Sequence, residues 1–202
     1  MSGEGQIETM TDKTLEELPF LDGKFLIVMP GMGDPRFDHA VIFMCAHTPE
    51  GAMGLMINRP VAELSFANLM KQLNIKGGNI EHAPEVLFGG PVENGRGFVL
   101  HSAEYEVEDS TMAITDDVGM TATMDVLRDI AEGQGPERRL LCLGYSGWGP
   151  GQLEDEIQRN GWLICDADPA IIFDVPVVEK WEAAAKTLGF DPAMLSGEGG
   201  RA

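Results

Sequence analysis

The glycine-rich residues 147–152, which read Gly-Trp-Gly-Pro-Gly-Gln, have the composition of an anion-binding loop. They precede a short amphipathic segment that predicts a helix. The free amides of a helix N-terminus can bind a phosphate or carboxylate where glycines allow a close approach. Gly147, Trp148 and Gln152 are therefore candidates for ligand contact, although loop and cap geometry alone would also explain the glycines. No lysine follows them, so the spacing of a Walker nucleotide-binding loop is absent.

A serine and a cysteine–histidine pair are the candidates for covalent or metal chemistry. Ser146 stands where the Gly-x-Ser-x-Gly elbow of hydrolases has its nucleophile, but Trp148 replaces the second glycine of that pattern. Cys45 and His47 are two residues apart on a predicted strand, so they should face the same way and could form half of a metal site. Nothing recognisable supplies the other half. We therefore predict no catalytic residue, no metal and no cofactor.

Two arginines lie where predicted strands end or turn. Arg59 follows Asn58 and precedes Pro60, which ends strand pairing, and Arg96 lies between glycines. Each guanidinium is suited to a ligand carboxylate, a partner or an internal acid, and an internal ion pair is favoured in so acidic a chain.

The least core-like motifs all fall at strand ends, where functional residues often lie. We predict that residues 58–60, 89–91 and 146–148 converge on one small-ligand or partner site. Trp148 could be part of the core or an exposed anchor. We expect Glu154 and Glu156 on a solvated helix face, pairing with Arg159. The candidate binding residues are Asn58, Arg59, Gly89, Gly90, Arg96, His101, Gly147, Trp148 and Gln152.

Short apolar runs separated by turn-forming residues predict the strands that must position these residues. Amphipathic spacing predicts one helix capped by Ser65, a second around Val126, a third from Gln152 and a last one capped by Asp174. Single helices among hairpin-like turns favour an α+β fold with a mixed, largely antiparallel sheet. The strands are expected at 25–29, 41–46, 53–57, 86–88, 98–101, 111–114, 140–145 and 162–165.

Composition restricts the partners and the compartment. The 202 residues carry 14 Lys and Arg against 33 Asp and Glu, a net charge of -19, which disfavours direct contact with nucleic acid or anionic membranes. The three cysteines lie in apolar runs, and neither a secretory signal nor a membrane span is recognisable, so a cytoplasmic protein is expected. We predict a flexible tail at 1–19, one domain at 20–196 and a C-terminal tail at 197–202. The sequence predicts no oligomeric state.

Three motifs in order make the chain resemble the AlgH/YqgE family, bacterial proteins of uncharacterised function that are often described as transcriptional regulators. The resemblance implies an α+β fold whose bent sheet curls into a pseudo-barrel with helices packed outside. The chain departs from the family pattern at Ser146, where we expect alanine. The motifs are Gly-Ala-Met-Gly-Leu-Met-Ile-Asn-Arg-Pro at 51–60, Gly-Gly-Pro-Val at 89–92 with Arg-Gly-Phe-Val-Leu-His at 96–101, and Gly-Tyr-Ser-Gly-Trp at 144–148 continuing through 151–157.

Together these observations favour a binding or regulatory module over an enzyme. We expect it to act through a protein partner or a small anionic ligand, because no helix-turn-helix or basic stripe suited to DNA is visible. The alternative is a hydrolase or transferase acting on an anionic small molecule at the helix N-terminus near Gln152, which would need a cleft reaching a histidine such as His101.

Overall fold

One nine-stranded sheet organises the protein. The computed structural model describes residues 19–28, 35–77, 80–189 and 191. Apart from Pro19, the predicted tails lie outside these ranges, as does Met29 at the end of the first predicted strand. The strands are β1 (Lys24–Val28), β2 (Val41–Thr48), β3 (Gly51–Met56), β4 (Val86–Phe88), β5 (Val92–Ser102), β6 (Thr111–Ala113), β7 (Val118–Thr121), β8 (Arg139–Trp148) and β9 (Trp162–Asp166).

The strand order is β6-β7-β5-β8-β3-β2-β1-β9, and β4 pairs with β8 beside this path. Every pairing among the described strands is antiparallel except the parallel pair β4–β8. The curled sheet forms a half-barrel with five helices, which confirms the predicted mixed, largely antiparallel α+β fold.

Strand β8 joins the two halves of the sheet and is longer than predicted. Its first half pairs with β4 and β5, and Ser146 to Trp148 pair with β3. The prediction of a loop directly after Tyr145 is therefore wrong for residues 146–148, which belong to β8. At Gly144 the backbone has a φ of +71°, and an added Cβ would lie 2.4 Å from the Gly90 carbonyl oxygen. Glycine thus lets β8 turn from one half to the other without ending.

The helices are α1 (Phe66–Gln72), α2 (Met124–Ala131), α3 (Gln152–Gln158), α4 (Pro169–Phe173) and α5 (Lys180–Thr187), with 3-10 turns at Pro35–Phe37 and Val177–Glu179. The Ser65 hydroxyl accepts from the Asn68 amide at 3.2 Å, which confirms the predicted cap of α1. The predicted start of the last helix is wrong. Asp174 follows α4, and α5 begins only after the 3-10 turn, because Pro176 is extended with a ψ of 142°. None of the described helices is long and apolar enough to cross a membrane.

Apolar residues pack on both faces of the sheet. The largest buried cluster draws on both halves of the curled sheet and on α4 and α5, with Phe25, Phe43, Phe98 and Trp181 among its members. A second cluster lies between strands β1–β3 and α3, and a third lies between β5, β8 and the helices α1 and α2. The third cluster also forms the base of a surface groove.

Candidate functional site

The three predicted strand-end segments meet in the fold through their main chains. The Phe88 amide donates to the Arg59 carbonyl at 2.7 Å, and the Met56 amide donates to the Gly89 carbonyl at 2.8 Å. A Cβ at Gly90 would lie 2.1 Å from the carbonyl carbon of Tyr145, so this backbone contact is as close as glycine allows. Gly89 and Gly90 are both buried. Their close contacts hold together the sheet junction, the place where β8 passes from pairing with β4 and β5 to pairing with β3.

The side chains of Asn58 and Arg59 bond the residues that precede β2. Asn58 accepts from the Val41 amide at 2.9 Å and donates to the His39 carbonyl at 2.8 Å. The Arg59 Nη2 donates to the Asp38 carbonyl at 3.2 Å. Residues 58–59 and Trp148 lie towards opposite ends of β3, since Trp148 pairs with Ala52. The structure brings the main chains together but not these side chains.

Trp148 belongs to a cluster of two indoles, an amide and a carboxylate, which we call the indole–carboxylate cluster (Trp148, Gln152, Glu156 and Trp162). Both indole Nε1 atoms donate to Glu156 Oε2, at 2.9 and 2.8 Å. Gln152 Nε2 donates to the other carboxylate oxygen at 3.1 Å. The expectation of a solvated Glu156 paired with Arg159 is therefore wrong, because α3 turns this carboxylate towards two indoles that need an acceptor.

Polar groups of the protein itself occupy the N-terminus of α3. Gln152 Oε1 accepts from the Gly149 amide at 3.0 Å, and Gly151 has a left-handed backbone with a φ of 73°. The helix has seven residues and carries Glu154 and Asp155 in its first turn, which oppose a second negative charge. Gly147 is exposed in β8 nearby. This arrangement gives no support to the alternative of an enzyme acting on an anion here.

His47 is a buried polar residue whose role the sequence did not reveal. Its Nε2 lies 2.8 Å from Glu154 Oε1, and its Nδ1 accepts from the Leu21 amide at 3.2 Å. The neutral tautomer with a proton on Nε2 satisfies both bonds. A register shift between Met44 and Ala46 separates His47 from Cys45. Cys45 belongs to the largest core cluster, whereas His47 accepts from Leu21 of the second cluster. The prediction that they face the same way is wrong because of this β-bulge.

His101 lies in a buried chain of hydrogen bonds. Its Nδ1 donates to the Ser102 carbonyl at 3.0 Å, and Nε2 lies 2.9 Å from the Thr121 hydroxyl, which in turn lies 2.7 Å from the Thr111 hydroxyl. Burial lowers the pKa of the imidazole, against weaker opposing effects of the Ser102 carbonyl and Glu104. His101 pairs with Arg139 at the start of β8, roughly 30 Å of strand from Trp148. None of the cavities found among the described residues is lined by both His101 and Gln152.

The three thiols are buried and free of disulfides. Burial raises the pKa of Cys45 and Cys165, and it raises the pKa of Cys142 to about 12. The thiolate form that would act as a nucleophile or metal ligand is therefore disfavoured at neutral pH.

Arg96 is the predicted site residue that borders an open depression. Its guanidinium lies 3.6 Å from a Glu93 carboxylate oxygen and 5.1 Å from the centre of the Phe98 ring. The pairing of β5 with β8 shifts between Val92 and Gly97, so residues 93–96 bulge out of the sheet. The predicted internal ion pair is thus a local, exposed one, and the bulge forms a wall.

This wall, α1 and the start of α2 enclose what we call the apolar groove, with a volume of about 550 Å³. Leu141 and Leu143 of β8 form its floor beside Gly97. Leu73 and Met124 are each 37% exposed here, although Leu73 belongs to the apolar face predicted for α1. The apolar side chains of the lining are Leu69, Leu73, Ala122, Met124, Leu127, Leu141 and Leu143.

Thr123 supplies a polar group to the groove that the rest of the described structure leaves without a partner. The residue is the N-cap of α2, but its side chain makes no capping hydrogen bond. Its hydroxyl oxygen is buried and finds no hydrogen-bond partner among the described residues. A buried hydroxyl without a partner is costly, so a ligand able to hydrogen-bond would be favoured here.

The sequence did not predict the groove, because the residue types that line it are common in hydrophobic cores and turns. Leucines at helical or strand spacing are typical of a hydrophobic core. The segments that line the groove lie far apart in the sequence, between positions 69 and 143, and only the fold brings them together. Leu73 was the available signal, because it extends the apolar face of α1 past the last buried residue, Met70. Ligand contact by the nine predicted residues stays a prediction, and Arg96 is the one among them that lines the groove.

Comparison with known proteins gives concordant matches in sequence and structure. Residues 25–193 match the model of a family described as AlgH-like. The chain is 52% identical over 190 residues to UPF0301 protein blr1492 of Bradyrhizobium diazoefficiens, covering 91% of this chain and 89% of the relative. It is 54% identical over 184 residues to a UPF0301 protein of Paracoccus denitrificans, covering 90% and 97%. The solution structure of the AlgH protein from Pseudomonas aeruginosa superposes with a TM-score of 0.75 at 42% identity, covering 92% of this chain and 98% of that one.

Proposed function

The chain belongs to the AlgH-like family, whose function is uncharacterised, and we propose that it is a cytoplasmic, non-catalytic binding module for a small ligand. The ligand is an apolar molecule with one hydrogen-bonding group, and its site is the apolar groove. The observation that carries the proposal is the coincidence of exposed apolar side chains with the unpartnered hydroxyl of Thr123.

The apolar lining supports a ligand by its energetics. Each Å² of apolar surface removed from water stabilises a complex by about 25 cal/mol, before the costs of association. Leu73 and Met124 leave such surface exposed although both lie beside the third core cluster. A ligand that covers them gains this free energy without moving the fold.

The shape of the groove favours a small molecule over a protein surface. Its volume of about 550 Å³ falls within the roughly 300–1,000 Å³ of typical ligand pockets. Two helices and the β5 bulge enclose it on three sides. A stable protein partner would need a contact of about 800 Å² on each side.

The titratable groups support binding rather than chemistry. Of the described residues that line the groove, Glu93 and Arg96 alone are ionisable, and they pair with each other. The described lining residues include no histidine, cysteine or serine that could act as a base or nucleophile. The net charge of -19 supports a partner other than nucleic acid.

The proposal is tested by filling the groove. A Cβ at Gly97 would lie 3.6 Å from the nearest atom, Leu141 Cδ1, so Gly97→Leu places a side chain on the floor at ordinary contact distance. The probe is 1-anilinonaphthalene-8-sulfonate, a dye with two apolar aromatic groups and one sulfonate, whose fluorescence rises when it binds an apolar site. We expect saturable binding to the wild type and a loss of at least about ten-fold in affinity for Gly97→Leu.

The matched control is Gly149→Leu, where an added Cβ would meet its nearest atom at 3.9 Å in a position far from the groove. This variant should bind the dye as the wild type does. Equal binding by all three proteins would refute the groove as the site. A protein partner that competes with the dye in the wild type would assign the groove to docking instead.

A further inference from the structure

A second cavity lies apart from the apolar groove, between residues 82–85, the start of β8 and the segment after α4. Its volume is about 520 Å³. Lys180, the first residue of α5, lines this cavity yet is only 1% exposed, so it belongs to the floor. We call this the lysine cavity. A lysine so deeply buried is unusual, because its charged form loses nearly all of its hydration.

The amine of Lys180 has one hydrogen-bond acceptor among the described residues. Its Nζ donates to the Ile172 carbonyl near the C-terminal end of α4. Burial lowers the pKa of Lys180 to about 8, although Cys142, Glu85 and Asp174 act in the opposite direction. At pH 8 a much larger fraction of Lys180 is therefore neutral than the less than about 1% expected for an ordinary lysine of pKa near 10.4.

Two arginines stand at the wall of the same cavity. Arg138 is paired with Asp174 at 3.2 Å. Arg139 donates instead to the carbonyls of Pro136 and His82, at 2.7 and 3.1 Å, and the described residues give it no ion pair. Its Nε is buried without a hydrogen-bond partner among them. Arg139 thus has no ion pair and one donor without a partner among the described residues, in a cavity that Glu85 and Glu137 also line.

We propose that Lys180 forms a reversible imine with a small aldehyde or ketone that carries a carboxylate, and that Arg139 holds this carboxylate. The inference is independent of the ligand proposed for the groove. It combines a buried amine, a cavity large enough for a few carbon atoms and a guanidinium with spare hydrogen-bonding capacity. Burial favours the neutral, nucleophilic amine that this reaction requires.

The reaction is balanced without a further reactant. The lone pair of Nζ attacks the carbonyl carbon, and the π electrons of the C=O bond move to oxygen, which takes up a proton as the nitrogen loses one. The resulting carbinolamine loses water as the C=N bond forms. Addition of water reverses the sequence and releases the carbonyl compound. The bond to the Ile172 carbonyl need not block attack, because a neutral amine can donate one N–H while its lone pair stays free.

The test is reductive trapping of the full-length protein with glyoxylate and sodium cyanoborohydride at pH 8, followed by peptide mass spectrometry. Lys186 is the internal control, since its side chain is 66% exposed and lies on the same helix. We expect carboxymethylation of Lys180 at least about ten-fold faster than that of Lys186, as its greater neutral fraction implies. Trapping of Lys186 with Lys180 unmodified would overturn the proposal.

Two variants test the roles of Lys180 and Arg139 separately. Lys180→Arg keeps a donor for the Ile172 carbonyl and should remove the fast adduct. Arg139→Gln should slow trapping of glyoxylate several-fold while leaving trapping of neutral propanal unchanged. Equal slowing of both probes would overturn the role of Arg139 in holding the carboxylate, and unchanged trapping of both would do the same.

Discussion

The indole–carboxylate cluster and the apolar groove contrast in how they satisfy their polar groups. In the cluster, Glu156 accepts hydrogen bonds from two tryptophans and a glutamine. In the groove, the buried Thr123 hydroxyl has no partner among the described residues, and two large apolar side chains stay partly exposed. The cluster is closed by its own contacts, and the groove is open to a ligand.

The contrast shows why distinctive residue types are poor guides to this site. Tryptophan, histidine and paired glycines are demanding to bury, so a fold that contains them must provide specific acceptors and close backbone contacts. Once those demands are met internally, the residues have little capacity left for a ligand. Leucines need no hydrogen-bond partner, and the unpartnered hydroxyl of Thr123 leaves one polar group available to a ligand.

The largest effect is expected from glycine substitutions in the sheet junction. Gly90→Ala should cost more than about 4 kcal/mol of stability, because its Cβ would lie 2.1 Å from the Tyr145 carbonyl carbon. Gly97→Ala in the groove should change the free energy of unfolding by less than about 1 kcal/mol. Urea denaturation followed by circular dichroism measures both. A folded, stable Gly90→Ala variant would contradict the close packing of this junction.

A smaller loss is expected from Glu156→Gln, which should cost about 2 kcal/mol. The three donors from Trp148, Trp162 and Gln152 would then compete for one carbonyl oxygen, and the new amide would face a donor. Asp155→Asn, on the exposed side of α3, is the control and should stay within about 0.5 kcal/mol. Tryptophan fluorescence during urea unfolding reports the difference, and equal effects of the two changes would argue against a closed cluster.

Two threonines give a matched comparison of a bonded and an unbonded hydroxyl. Thr121→Val removes the hydroxyl between His101 and Thr111 and should cost about 1–2 kcal/mol. Thr123→Val removes a hydroxyl without a partner among the described residues and should change stability by no more than about 0.5 kcal/mol. The midpoints of urea unfolding measure the stability of the two variants relative to the wild type. Comparable losses would mean that the groove has no spare polar group.

The smallest effect concerns the pH dependence contributed by His101. Its folded pKa is lowered by burial, so the unfolded chain binds the proton more readily as pH falls below about 6.5. This residue therefore stabilises the native state above that pH, and the contribution is lost on acidification. Between pH 7.5 and 5.5 the wild type should lose more stability than His101→Gln does, as urea unfolding at the two pH values would measure. Parallel stability curves for the two proteins would contradict a neutral, buried imidazole.

Local patterns predicted the parts of the fold that local forces decide. The Ser65 cap, the apolar face around Val126 and the hairpin of β2 and β3 follow from spacing and turn residues within a few positions of each other. The family resemblance also supplied the curl of the sheet, which spacing alone did not imply.

Features decided by distant contacts were not predictable in this way. Strand β7, which reads Val-Gly-Met-Thr, has too few apolar residues to be recognised before β5 and β6 flank it. The extension of β8 through its glycines depends on β3, and the bulge that separates Cys45 from His47 depends on strand register. The groove and the lysine cavity likewise require segments that only the folded chain brings together.

The most direct test of the central claim is to map a bound probe by nuclear magnetic resonance. On addition of 1-anilinonaphthalene-8-sulfonate to the isotope-labelled protein, amide shifts should change at groove residues such as Leu69, Gly97 and Met124. The groove residues of Gly97→Leu should not respond. Shifts centred on Trp148 and Gln152, or groove shifts that persist in Gly97→Leu, would contradict the assignment of the ligand site to the apolar groove.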